Sequence, residues 1–310
     1  MRVLVTGGAG YIGSVLVPML LGRGHAVTVI DNFLYGQSSL LDVCHDRNLT
    51  LLRADARDRG VMKRAVDGQE VLIPLAALVG APLCAREPDA ACSTNLGAVE
   101  LLLSLRTPEQ KVLYPNTNSG YGLGQGDTFC TEDSPLAPIS LYGRTKCQAE
   151  QLVLDAGNSL TFRLATVFGV SPRMRLDLLV NDFTYRAVTD GFVVLFEAHF
   201  KRNYIHVRDV ARAFMHAIEN FEAMQGRPYN VGLSDANLSK QELCERIQAQ
   251  VPSFYFTEAA VGEDPDKRNY VVSNARIEAT GFRPQVSLDA GITELLKGYQ
   301  IVRRSGFANV

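Results

Sequence analysis

The sequence predicts an α/β fold: a doubly wound parallel sheet followed by a smaller α/β cap in the C-terminal half. Three observations carry this. Short, nearly continuous apolar runs alternate with helical stretches up to about residue 167. A glycine-rich turn joins the first run to the first helix. Beyond residue 167 the alternation becomes irregular, as expected of a cap whose chain crosses back to the main sheet.

The elements follow in order. "RVLVTG" at 2–7 reads as the first strand, and 11–24 as a helix closed by Gly22 and Gly24. Strands follow at 26–31, 49–55 and 70–77. A long helix covers about 88–106, with Pro88 at its start. "KVLYPN" at 111–116 is the fifth strand, 141–157 has helical periodicity, and 160–169 is the sixth strand. The cap half carries helical stretches at 176–189, 208–221, 238–250 and 287–299. Its strands lie at 192–196, 202–207, 228–232 and 254–257.

The chain has 310 residues, enough for one large domain or two interlocked ones. Apolar residues make up 46% and charged residues 21%, an ordinary balance for a globular enzyme. A formal charge of −2 gives no electrostatic case for nucleic acid or an anionic membrane. The longest apolar run, at 71–83, is too short to span a bilayer. Met1 leads directly into a strand without a leader pattern, which predicts a cytoplasmic chain. The six cysteines show no CxxC pair and the five histidines no metal-like spacing, so reduced thiols and no metal site are expected.

"TGGAGYIGS" places Gly7, Gly10 and Gly13 between strand and helix. A pyrophosphate there meets backbone rather than Cβ atoms, at a helix end that offers amides and positive dipole. Asp31 closes the second strand, where a carboxylate accepts from ribose hydroxyls and repels a 2′-phosphate. This favours NAD over NADP and a sheet of Rossmann type. Asp55 either meets the adenine edge or caps its own loop.

"YGRTK" sets Tyr142 and Lys146 four apart on one helix face. A tyrosine ordinarily ionises near pH ~10, and a close cation favours the phenolate. Tyr142 is then a base for a sugar hydroxyl whose carbon gives up hydride, with Thr117 orienting that hydroxyl.

Together with "LAAL" at 75–78, "TNLGAVELL" at 94–102, "RLATVFG" at 163–169 and "RNYIHVRDVARA" at 202–213, these segments resemble the extended short-chain dehydrogenase/reductase family. The resemblance covers nearly the whole chain and points to its nucleotide-sugar epimerases and dehydratases. It implies a catalytic set of Tyr142, Lys146 and Thr117. It implies NAD contacts at Gly7, Gly10, Tyr11, Ile12, Gly13, Asp31, Asn32, Asp55, Ala56, Leu75, Ala76, Ala77 and Asn95, and at Tyr142 and Lys146. It implies substrate contacts at Val79, Gly80, Asn118, Ser119, Arg173, Arg175, Asn181, Arg202 and Arg268.

Arg202 and Arg268 match arginines that pair with the nucleotide diphosphate. Their structural alternatives are pairs with Asp209 and Asp266. Asn95 either supports the site or bridges within the core, and Arg173 and Arg175 are phosphate or sugar contacts or a solvated basic loop. Pro74 and Thr166 depart from the family's usual His and Asn. A NAD-binding domain is expected over 1–167, with the chain crossing back around 203–232, and a substrate-binding cap over 168–202 and 233–310. The family also implies a homodimer through the helices at about 88–106 and 141–157.

The residues after Thr117 narrow the reaction. Family 4,6-dehydratases place an acidic pair there, and GDP-fucose-type enzymes a cysteine. Here Asn118 and Ser119 supply neither. Hydride chemistry at one carbon, C4, remains: a 4-dehydrogenase or a 4-epimerase. Blocks at 75–84, 114–122, 162–187 and 262–268 resemble the branch containing bacterial GDP-heptose 4-dehydrogenase of capsule-heptose synthesis. They favour a GDP-linked over a UDP-linked sugar. A UDP-hexose 4-epimerase and a non-catalytic NAD-binding member of the fold are the alternatives.

Overall fold

The computed structural model describes residues 1–124, 128–261 and 268–302. The first half runs β1 (Arg2–Thr6), α1 (Gly13–Gly22), β2 (Ala26–Asp31), β3 (Leu49–Arg53), α2 (Arg59–Val66), β4 (Val71–Pro74), α3 (Ala81–Arg86), α4 (Pro88–Cys92), α5 (Ala98–Leu105) and β5 (Lys111–Thr117). It continues through β6 (Phe129–Cys130), α6 (Leu141–Asp155) and β7 (Ser159–Leu164). Then come β8 (Thr166–Phe168), α7 (Leu179–Thr189), β9 (Phe192–Leu195), β10 (Lys201–His206), α8 (Val207–Glu219), α9 (Phe221–Met224) and β11 (Pro228–Val231). The described chain closes with β12 (Asn237–Ser239), α10 (Lys240–Gln248), β13 (Tyr255–Glu258), β14 (Val271–Val272), α11 (Ala275–Ala279) and α12 (Leu288–Gly298).

Seven strands form one parallel sheet in the order β11-β7-β5-β4-β1-β2-β3. The order reverses beside β1, so the carboxyl ends of β1, β2, β4 and β5 open onto one crevice. Alternation along β1 shows why the strands read as continuous apolar runs. Val3 and Val5 join one core cluster with Leu16, Leu20 and Phe214. Leu4 joins the opposite cluster with Met62, Leu102 and Val153. Both faces are covered, and each such buried side chain contributes about 1.5–3 kcal/mol.

The remaining strands form smaller sheets, β12-β10-β8, β13-β9 and β14-β6. Helix starts follow capping chemistry. Ser140 accepts from the Gly143 amide at the start of α6, and Ser239 with Glu242 forms a capping box on α10.

Four local readings need correction. The expected strand at 70–77 ends at Pro74, and α3 follows within the same apolar run. The run at 160–169 is two strands: β7 ends at Leu164, the Ala165 amide bonds to the Val231 carbonyl, and β8 pairs with β10 instead. The helix at 88–106 contains a π turn at Ser93–Gly97. Helix α2, capped by Asp58, has no counterpart in the sequence reading.

Candidate active site

A cavity of about 600 Å³ lies over the carboxyl ends of the central strands and runs from the glycine turn to β5 and α6. At one end Gly7 has φ +70, and a Cβ there would stand 2.6 Å from the Ala76 amide nitrogen. A Cβ on Gly13 would stand 2.5 Å from the Gly8 carbonyl oxygen. No side chain caps the amino end of α1. The glycines let the turn pack closely on backbone, and Gly7, Gly10 and Gly13 line the cavity beside an uncapped helix end, so a dinucleotide fits this half. Tyr11, Ile12, Asn32, Asp55, Ala56, Leu75, Ala76, Ala77, Val79 and Gly80 all line the cavity.

Asp31 is buried at the tip of β2. It accepts from the Ala9 amide at 3.0 Å and the Phe33 amide at 2.8 Å. Burial raises its pKa, against those hydrogen bonds. The carboxylate therefore fixes the glycine turn as well as facing the cavity. Asp31→Ala is expected to weaken NAD binding by about tenfold or more, the scale of one to two charge-assisted hydrogen bonds. Titration with NAD would check this, and unchanged affinity would refute the ribose role. Asp55 is held by Arg57 through its amide at 2.8 Å and its guanidinium Nε at 2.9 Å. Asp55 thus anchors its own loop and also lines the cavity, so both readings of it stand.

At the other end, Thr117 closes β5 and a 3₁₀ turn, Asn118–Tyr121, follows. Tyr142 and Lys146 project from successive turns of α6 into the same cavity. Burial pushes the Tyr142 phenol up to about 12, while Arg175 and Arg268 favour its ionised form. The Lys146 ammonium sits 4.0 Å above the Tyr114 ring. Burial lowers its pKa to about 7. Two arginines from outside the sheet therefore join the lysine one turn away in placing positive charge around Tyr142.

Lys146 also makes a stability prediction. Its folded pKa near 7 lies below the ordinary 10.5, so between these values the unfolded chain holds the extra proton. The cost of burying the charge is complete below about pH 7 and is relieved as pH rises toward 10.5. Cofactor-free Lys146→Met should melt higher than the parent at pH ~6, with the gap narrowing as pH rises above ~7. Melting curves across pH check this, and a pH-independent gap would refute it.

A buried polar cluster ties these elements together. The Glu150 carboxylate on α6 accepts from Arg163 Nε at 3.0 Å and Nη2 at 2.7 Å. It also accepts from Asn116 Nδ2 at 2.8 Å and Thr161 Oγ1 at 3.0 Å. Arg163 donates onward to the Tyr121 hydroxyl and the Glu132 carbonyl. The strand end bearing Thr117 thereby meets the helix bearing Tyr142 through Asn116 and Glu150, while the Arg163–Glu150 ion pair ties that helix to β7.

The other sequence-predicted residues divide. Arg175 is fixed by Asp177, Nε to Oδ1 at 3.2 Å. Arg173 stands 4.5 Å over the Tyr35 ring, with Asp31 among its charged neighbours. That places it toward the dinucleotide half, not with the sugar-end residues. Arg202 lines the cavity 5.7 Å from the Tyr270 ring. Its suggested partner Asp209 instead binds Arg212 and the Gln285 and Val286 amides. Arg268 donates to the Ser119 hydroxyl, while Asp266 lies outside the described residues.

Three expected contacts do not line the cavity. Asn95, in the π turn, bonds both the amide and carbonyl of Leu78 and braces the loop after β4. Asn181 holds the Gly169 amide at 2.9 Å and the Arg175 carbonyl at 2.8 Å. Asn118 is buried with neither amide atom hydrogen-bonded. Both Asn95 and Asn181 are buried, with their carboxamides bonded to backbone rather than turned to the cavity.

Tyr35, Gln37, Pro82, Asp177, Lys240 and Tyr270 also line the cavity, and sequence reading passed over them. Tyr35 and Gln37 follow the strand ending in Asp31, a loop position that could have drawn notice. Lys240 and Tyr270 carry no local signal. Among the described residues no cluster of three or more His, Cys, Asp or Glu could hold a metal ion, and no helix is long and apolar enough to cross a membrane.

Residues 3–232 match the model of the NAD dependent epimerase/dehydratase family. The chain is 29% identical over 279 residues to the UDP-glucose 4-epimerase of Corynebacterium glutamicum, covering 80% of each. It is 26% identical over 314 residues to UDP-glucuronic acid decarboxylase 1 of Arabidopsis thaliana, covering 97% of this chain and 70% of that one. Among solved structures it is similar to the UDP-glucose 4-epimerase of Thermotoga maritima determined with UDP-glucose. The TM-score is 0.84 at 25% identity, with 97% and 99% of the two chains covered.

Proposed function

Because the chain belongs to the NAD dependent epimerase/dehydratase family, we propose that it binds NAD and acts by hydride transfer at C4 of a nucleotide-activated sugar. The observation that carries this reading is Tyr142 and Thr117 lining one cavity with the glycine turn, while the two side chains after Thr117 are a neutral amide and a hydroxyl. Of these four side chains, Tyr142 is the one suited to take a proton from a sugar hydroxyl.

Bound NAD supplies the hydride acceptor, and its positive ring adds to the cations that favour the tyrosinate. The glycine turn and the α1 amides would hold its pyrophosphate, and Asp31 the adenosine ribose. Tyr142 takes the hydroxyl proton as the carbon is oxidised. Arg202 serves the diphosphate, and the apolar wall of Leu75, Ala76 and Val79 excludes water from the reacting carbon.

Among C4 reactions, the relatives favour 4-epimerisation of a UDP-linked sugar over the sequence-based preference for a GDP-heptose 4-dehydrogenase. The latter remains as the second reading, supported by the block resemblances at 75–84, 114–122 and 162–187. A panel of UDP- and GDP-linked sugars with mass-spectrometric products separates them, with the cofactor followed by absorbance. An epimer without net reduced cofactor supports the first reading. A keto sugar with matching reduced cofactor supports the second. Bound NAD with no product from any sugar would overturn both.

A further inference from the structure

The hydroxyls at the end of β5 have assigned hydrogen bonds. The Thr117 hydroxyl donates to Ser119 Oγ at 2.9 Å and accepts from the Ser119 amide at 3.1 Å. Arg268 also donates to Ser119 Oγ. A hydroxyl has two lone pairs and one proton. Both Ser119 lone pairs are therefore taken, and its proton has no protein acceptor among the described residues. Ser119 lines the cavity beside Tyr142. Thr117, having given its proton to Ser119, has only a lone pair left for the cleft.

We propose that Ser119 donates a hydrogen bond to the sugar oxygen that becomes the carbonyl, with Arg268 as the positioning residue that fixes and polarises it, and that Thr117 meets this oxygen only as an acceptor. The proposal rests on the C4 reading above. A guanidinium on the acceptor side of a hydroxyl makes it a stronger donor. The benefit is largest when charge has built up on the sugar oxygen, so it belongs to the transition state rather than to substrate binding. No bond to Ser119 is made or broken. The sugar proton goes to Tyr142, and Ser119 keeps its own.

The arrangement also explains why the late-loop arginine lies where it does. A diphosphate ligand would leave Arg268 away from the reacting carbon. Here it reaches the hydroxyl two residues past Thr117, and it is one of the two arginines acting on Tyr142. The groups facing that phenol are Arg175 from the segment before α7, Arg268, Cys84 from α3 and Thr117 from β5.

The test uses the full chain with bound NAD and whichever sugar nucleotide it converts. Ser119→Ala should lower kcat by about 10²-fold, the loss typical of one oxyanion donor, with KM within about threefold. Ser119→Cys, a weaker donor of similar shape, should fall between and guards against a folding defect in the alanine variant. Arg268→Ala should lower kcat and move the rising limb of its pH profile to higher pH, and Arg268→Lys should restore part of both. A Ser119→Ala kcat within threefold of the parent, or a loss confined to KM, would overturn the proposal while leaving the C4 reading intact. So would an unmoved pH limb in Arg268→Ala. A parent that converts no sugar nucleotide would overturn both.

Discussion

Tyr142→Phe should lower turnover by at least about 10³-fold while NAD stays bound, because it removes the hydroxyl proposed to take the proton. The substitution keeps the ring and its packing. The buried phenol stands at about 12 without cofactor, held down against burial by Arg175 and Arg268. The nearby alternatives fail on chemistry: Thr117 and Ser119 are ordinary hydroxyls, and Asn118 is an amide. Lys146 lies over the Tyr114 ring. Single-turnover measurements of reduced cofactor with a converted sugar give the readout, and a rate within tenfold of the parent would sink the mechanism. Bound-cofactor content should be unchanged, since the glycine turn and Asp31 lie at the other end of the cavity.

Glu150→Ala should be the most destabilising single substitution in the site's support, by about 3–5 kcal/mol. The Arg163 and Glu150 side chains are 6% and 4% exposed. Removing the carboxylate leaves a guanidinium buried without its counter-charge and strips the acceptor from Asn116 and Thr161. The urea midpoint should fall accordingly, and kcat should fall with it, because Asn116 immediately precedes Thr117 and Glu150 lies one turn beyond Lys146. Replacing both partners, Glu150→Met with Arg163→Met, should recover much of the stability, since the desolvation of two charges is also removed. A Glu150→Ala variant within 1 kcal/mol of the parent would refute the account.

The sheet and the dinucleotide half were legible because each signal there is local. The glycines, the following helix and Asp31 lie within one β-α-β unit, and backbone geometry demands those residue types. Tyr142 and Lys146 were legible for the same reason, as a four-residue spacing on one helix. What connects across the chain was not. Arg268 is 149 positions from Ser119, and no spacing rule brings them together. Asn95 could be singled out by resemblance, but its π turn and its hold on Leu78 depend on packing between α5 and the loop after β4. The broken strand at Ala165 was hidden because "LTFRLATVF" is uniformly suited to extended structure. Only the change of partner, from β11 to β10, divides it.

That change of partner bears on how the chain is made. β11 pairs with β7 along Pro228–Val231 and Thr161–Leu164, yet everything from β8 through α9 is synthesised between them. A nascent chain that has released β7 but not β11 presents a bare, apolar strand edge, the kind that recruits foreign strands. The long helix α8, made shortly before α9 and β11, packs on α1 near the start of the sequence, so it is placed to bring the last strand home. The order of synthesis therefore leaves the first six strands of the sheet waiting, open at β7, for the final one.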